Sequence, residues 1–202
     1  MRRAYRIRCK EAGAQECVVE LGFAGGVAAQ HQRGVLRVTV GSELRPEDRT
    51  LCFPVRGEPV EKVLLGLKKL GFGVGKYAGF GGKVEEGETV EEAAVRELRE
   101  ETGLKVNVAD LEPAGKLVLQ FPFRPRWNGI VHVFLARNWT GQPAETTEMR
   151  PVWFDRTEIP LNKMWKDCPH WLPRILAGEP VRGSFALKDD NETVHWARVE
   201  AL

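Results

Sequence analysis

Apolar positions along the chain change their period several times, and each change predicts an element. Leu51–Val55 and Val63–Leu67 are short apolar runs around the polar turn Arg56-Gly57-Glu58-Pro59, which predicts a β-hairpin. Lys68–Gly82 is rich in glycine and has no period, so it reads as a loop. From Val90 to Thr102 the spacing turns helical, with Val90, Ala94 and Leu98 recurring at i, i+4 and i+8. Thr89 with Glu92 forms a capping box ahead of that helix, and Gly103 supplies the left-handed stop. Further strands are predicted over Lys116–Phe121, Gly129–Arg137 and Arg150–Phe154, and a short helix over Pro169–Leu176 with Gly178 past its end. Ser184–Leu187 and Val194–Val199 flank the turn Asp189-Asp190-Asn191-Glu192 as a closing hairpin. Strands with two scattered helices predict an α+β domain, a mixed sheet packed by helices.

The first 49 residues differ from the rest. They hold a Gly/Ala-rich stretch, Gly22–Ala29, one alternating strand candidate, Val35–Val40, and a polar linker, Gly41–Arg49. Two parts are therefore expected: an N-terminal extension over 1–49 and a domain over 50–202. The start MRRAYRIRCK carries five basic and no acidic residues, which leaves organelle targeting open, yet it has no apolar core of a secretory signal. Thirty basic against 28 acidic residues leave a formal net charge of +2, which gives no electrostatic footprint for duplex nucleic acid. No apolar run approaches the ~18 residues of a membrane span. The four cysteines, Cys9, Cys17, Cys52 and Cys168, include no CxxC pair, which favours a reducing cytoplasm over a disulfide scaffold. A Cys9–Cys17 pair or metal site is disfavoured on the same ground. Nothing in the sequence decides between monomer and homodimer.

The candidate chemistry lies on the predicted helix. Glu97, Glu100 and Glu101 sit at i, i+3 and i+4 and share one ridge. Like charges at that spacing each cost a few tenths of a kcal/mol. They also lie near the helix C-terminus, where the dipole disfavours anions by about 0.3–1 kcal/mol. Stability alone would place Lys or Arg there. Clustered carboxylates suit hard divalent cations such as Mg²⁺, while the plain alternative is a solvated acidic face with Arg96 pairing Glu92 or Glu100.

The spacing decides between them. Gly82, Glu88, Arg96, Glu97, Leu98, Glu100, Glu101, Gly103 and Leu104 fill every fixed position of the pattern G-x5-E-x7-R-E-U-x-E-E-x-G-U, where U is apolar. This segment resembles the Nudix box. The resemblance implies the Nudix fold, a mixed sheet sandwiched between helices (α/β/α), and a hydrolase acting on a nucleoside diphosphate linked to a further group. It implies Mg²⁺, with Mn²⁺ as a substitute, held by Glu97, Glu100, Glu101 and the backbone of Gly81 and Gly82. Arg96 orients the glutamates, Glu88 supports the loop, and Glu97 or another carboxylate takes a proton from water. From Thr50 onward the chain is similar to the family members that cleave oxidised purine nucleoside triphosphates such as 8-oxo-dGTP to monophosphate and pyrophosphate, which sanitises the nucleotide pool and prevents DNA damage. The matching stretches include VLLGLKK (Val63–Lys69), GFGGKV (Gly79–Val84), EMRP (Glu148–Pro151) and the MW-x-D motif (Met164–Asp167). Glu148 is then a further metal ligand. Thr50, Leu51, Lys68, Phe72, Ala78, Phe80, Lys83, Leu119, Trp165, Asp167 and Cys168 are the implied substrate-binding positions.

Two of these depart from the family pattern, which has Asn where this chain has Ala78 and a second Asp where it has Cys168. A thiol is a weak hydrogen-bonding group and Ala has none. Hydrogen-bonding sites discriminate strongly and apolar ones poorly, so a relaxed or changed base preference is expected. The alternatives are the same chemistry on ADP-ribose or a dinucleoside polyphosphate, or a non-catalytic nucleotide sensor. The complete set of box glutamates argues against the sensor.

Overall fold

The Thr89 hydroxyl accepts the Glu92 amide at 3.2 Å, and the Glu92 carboxylate accepts the Thr89 amide at 2.8 Å. That capping box starts helix α1 (Val90–Thr102), and Gly103 ends it with φ +77°. The computed structural model describes residues 4–9, 16–22, 35–39 and 46–202, with side chains from residue 46 onward. Its compact units are 1–45 and 46–202.

In the first unit, β1 (Ala4–Cys9), β2 (Glu16–Gly22) and β3 (Val35–Thr39) pair antiparallel in the order β1-β2-β3. Only the third of these is anticipated by the sequence pattern. The Gly22–Ala29 stretch beyond Gly22, most of the linker and the cysteine side chains of Cys9 and Cys17 lie outside the described residues.

The second unit is built on a mixed sheet. Its strands are β4 (Glu47–Arg56), β5 (Lys62–Lys68), β6 (Tyr77–Ala78), β7 (Leu111–Gln120), β8 (Gly129–Ala136), β9 (Met149–Asp155), β10 (Val181–Leu187) and β11 (Val194–Ala201). They run in the order β11-β10-β7-β8-β4-β5-β6, with β9 also paired to β5. Two pairings are parallel, β4 with β8 and β7 with β10. Helix α2 (Cys168–Leu176) is the second helix.

Neighbouring strand residues point to opposite faces, and here both faces are covered. Leu64 joins Phe80, Ala94, Leu98 and Met149 in a core beneath α1. Leu65 joins Phe53, Trp171, Leu172, Ile175 and Phe185 in a core beneath α2. Each fully buried Leu or Phe contributes about 1.5–3 kcal/mol. The expected α/β/α sandwich is therefore present.

Several boundaries differ from the pattern, β10 among them, which opens at Val181 rather than Ser184. The β4 strand opens at Glu47, so 47–49 are strand rather than linker. The predicted hairpin is confined to Val55–Val63 and Arg56–Lys62, because nearer its start β4 bridges Phe80 and Lys83 on that edge while β8 pairs along the other. The β7 strand begins at Leu111, earlier than Lys116, since Pro113 and Gly115 are absorbed at a register irregularity instead of breaking the strand.

Candidate active site

Three backbone hydrogen bonds lay the loop Gly79–Gly82 against β4. Cys52 and Phe80 exchange both of theirs, at 2.6 and 2.9 Å, and the Thr50 amide donates to the Gly82 carbonyl at 2.9 Å. A Cβ on Gly81 would strike the Thr50 carbonyl, and one on Gly82 would strike the Glu97 carboxylate. Glycine is therefore required at both positions for this loop to pass between the strand and the acidic ridge of α1.

On that ridge the carboxylates are held one oxygen at a time. Glu101 is buried, and its Oε2 accepts the Gly81 amide at 2.9 Å. Glu97 Oε1 accepts Arg96 Nη1 at 2.8 Å. Arg96 also donates to both oxygens of Glu88, at 3.1 and 2.7 Å, and to the Lys83 carbonyl at 3.0 Å. It reaches Glu100 only at 3.5 Å, and Glu100 is solvent-exposed. Glu92 is not its partner, being committed to the capping box. Glu88 receives its Arg96 bonds and the Glu85 amide, which hold its carboxyl below the ordinary range.

Burial pushes the Glu101 carboxyl up to about 7; the negative charges of Glu97 and Glu148 add to this, while the Gly81 amide and Lys68 oppose it. Glu97, Glu148 and Lys68 thus all lie within electrostatic reach of Glu101. Among the described residues no three acidic, His or Cys side chains form a closed metal cage. The donor set nonetheless fits Mg²⁺, which is commonly held by one or two carboxylates plus waters and substrate phosphates. Glu97 Oε2 and Glu101 Oε1 are the oxygens left free by the Arg96 and Gly81 bonds.

Beside this ridge opens a cavity of about 470 Å³, a size suited to a nucleotide-like ligand. Thr50, Leu51, Lys68, Phe72, Ala78, Gly81, Gly82, Lys83, Leu119, Trp165, Asp167 and Cys168 all line it. Phe80 does not, and its expected role in binding is corrected: it is fully buried in the core beneath α1. Phe72 stacks on Trp165 at 4.7 Å and meets Trp127 edge-on at 5.0 Å. Trp127 also lines the cavity, though the sequence pattern does not single it out.

Asp167 stands at the buried end. It does not cap α2 with its side chain; instead its Oδ2 accepts the Trp171 indole N–H at 2.8 Å. Burial pushes its carboxyl up, and the Trp171 bond opposes this. Burial likewise raises the Cys168 thiol well above its ordinary range, aided by the neighbouring Asp167 charge, so it stays a neutral, weak partner. Among the described residues, Arg49 Nε, Thr50 Oγ1 and Asn191 Oδ1 are buried side-chain atoms without a hydrogen-bond partner, and all three residues line this cavity. Unpaired buried polar atoms are costly, and their convergence on one cavity marks it as a place for a polar ligand. Arg49 and Asn191 carry no sequence signal that would have found them.

A family model of the NUDIX domain matches residues 46–175. The zebrafish (Danio rerio) protein named oxidized purine nucleoside triphosphate hydrolase is 48% identical over 124 residues, covering 61% of this chain and 78% of the relative. The mouse (Mus musculus) protein of the same name is 42% identical over 137 residues, covering 68% of this chain and 86% of the relative. Among solved structures, a MutT protein of Bacillus halodurans superposes with a TM-score of 0.64 at 23% identity, covering 76% of this chain and 97% of that one. At that identity the likeness speaks for the fold alone.

Proposed function

This chain belongs to the Nudix hydrolase family, and we propose that it hydrolyses oxidised or otherwise modified purine nucleoside triphosphates to monophosphate and pyrophosphate with Mg²⁺. The observation that carries the reading is a juxtaposition. A cavity walled by Phe72, Trp127 and Trp165 and ended by Asp167 adjoins the Gly81–Lys83 loop, and that loop abuts Glu97 and Glu101. A base in the cavity leaves its phosphates at the acidic ridge.

Stacking on an aromatic face supplies about 1–3 kcal/mol per base with little base preference. Asp167, whose burial favours the protonated form, both donates to and accepts from a purine edge. Glu97, Glu100, Glu101, Glu148 and the backbone of Gly81 and Gly82 form the metal site, with Glu97 and Glu101 central and Glu100 peripheral because of its exposure. When bound, Mg²⁺ neutralises diphosphate charge and lowers the pKa of a coordinated water. Lys68 and Lys83 add positive charge along the phosphates. Glu97 or another carboxylate of this ridge takes the proton from the attacking water. Water adds to a phosphorus of the α–β anhydride, the bridging P–O bond between the α- and β-phosphates breaks, and monophosphate and pyrophosphate are released. Catalysis resides in the unit over 46–202, which includes the whole of β4 and the cavity-lining Arg49.

The test is chromatographic product analysis with a nucleotide panel and Mg²⁺. Pyrophosphate and monophosphate from purine triphosphates are expected. AMP from ADP-ribose with intact triphosphates would move the assignment to the other diphosphate substrates.

A further inference from the structure

The cavity's far wall is not part of the motif that identifies the family. It is the turn between β10 and β11, and the turn is unusually well tied. Asp190 accepts the Glu192 and Thr193 amides, at 2.9 and 2.8 Å, and also the Thr193 hydroxyl. The Asn191 amide closes onto the Lys188 carbonyl at 2.9 Å, and Lys188 donates to the Thr193 carbonyl at 2.8 Å. Glu192 then binds Lys76 Nζ at 2.6 Å, and that ammonium lies 5.0 Å from the centre of the Trp165 ring. The turn is thereby fastened beside Trp165, with which it lines the cavity.

Asn191 stands in the middle of this frame with φ +58°, the left-handed region that Asn tolerates better than most residues. Its Nδ2 donates to the Asp189 carbonyl at 3.1 Å, which fixes the amide's direction. Its Oδ1 is left buried, unpartnered and on a residue lining the cavity. A fixed, unpaired acceptor on a cavity wall whose turn is anchored beside Trp165 is a recognition element in want of a donor.

We propose that Asn191 is a specificity-determining residue, whose Oδ1 accepts a hydrogen bond from an N–H on the edge of the bound purine. The inference rests on the purine triphosphatase reading above. It also supplies a polar reader in a chain that carries Ala78 and Cys168 at two pocket positions. The donor is either an exocyclic amine or the ring N7–H that an 8-oxo purine possesses and an ordinary purine lacks.

The experiment compares kcat/KM across two substrate pairs. Guanine against hypoxanthine triphosphate isolates the exocyclic amine, and 8-oxo-guanine against guanine triphosphate adds N7–H together with a C8 carbonyl, of which only N7–H can donate to Asn191 Oδ1. Asn191→Gly removes the acceptor and accepts the positive φ. Asn191→Asp keeps an acceptor oxygen. Asn191→Gly is expected to lower the within-pair preference about tenfold in one pair, while Asn191→Asp holds that preference within about twofold. An equal loss on every substrate, no loss, or the same loss of preference in both variants would overturn the proposal. If the wild type cleaves no purine triphosphate, the functional reading fails and takes this inference with it. If the wild type cleaves them and the preferences do not move, only the inference fails.

Discussion

Glu101 is the residue where stability and function pull hardest against each other. Replacing it with Gln keeps the shape and an acceptor for the Gly81 amide but removes the ionisable group. The Glu101 carboxyl is raised from 4.5 to about 7, first by burial. A raised carboxyl favours the folded state while protonated. Its contribution is fully present below pH 4.5, falls as pH rises, and is gone above about 7. At about 1.36 kcal/mol per pH unit, that gap corresponds to on the order of 3 kcal/mol of destabilisation once the group is ionised. For a chain of this size the matching shift in Tm is about 6–12 °C. The assay is thermal or urea unfolding of wild type and Glu101→Gln with chelator present. Near pH 5 the two should differ little, and near pH 8.5 the variant should be the more stable by the amount above. Adding Mg²⁺ should raise the wild type and leave the variant nearly where it was. A stability difference that does not change between pH 5 and 8.5 would refute the reasoning, because it would mean Glu101 carries no burial penalty.

Three other perturbations probe separate parts. Arg96→Ala releases Glu88, Glu97 and the Lys83 carbonyl together and should lower kcat by about 10–100-fold, read from steady-state pyrophosphate release. Ala78→Asn with Cys168→Asp returns polar groups to the cavity wall and should widen the kcat/KM ratio between oxidised and ordinary guanine triphosphates. Thr89→Ala removes the α1 cap and should cost about 1 kcal/mol in urea unfolding.

Helix α1 is legible in the sequence to the residue, because Thr89, Glu92 and Gly103 act locally and depend on nothing distant. The strand ends are not, because Pro113 and Gly115 look like breakers until β8 and β10 are seen to pair around them. In the site, the box spacing identifies Glu97 and Glu101, yet helical periodicity pairs Arg96 with Glu92 or Glu100. The Glu100 pairing is present at 3.5 Å, but the shorter bonds go to Glu97 and to Glu88, which lies before the helix begins, where periodicity does not reach. Phe80 illustrates the opposite error. It sits within a glycine-rich motif beside the cavity, yet strand alternation turns it into the core beneath α1. Asn191 and Arg49 become visible only once distant segments meet around one cavity, since their significance is a missing partner.

The central claim is that Glu97 and Glu101 hold a divalent ion beneath the phosphates. Its most direct measurement is pyrophosphate release from 8-oxo-dGTP by the wild type, first in chelator and then with Mg²⁺ restored. The account predicts that turnover disappears and returns. Hydrolysis that proceeds undiminished in chelator would contradict it.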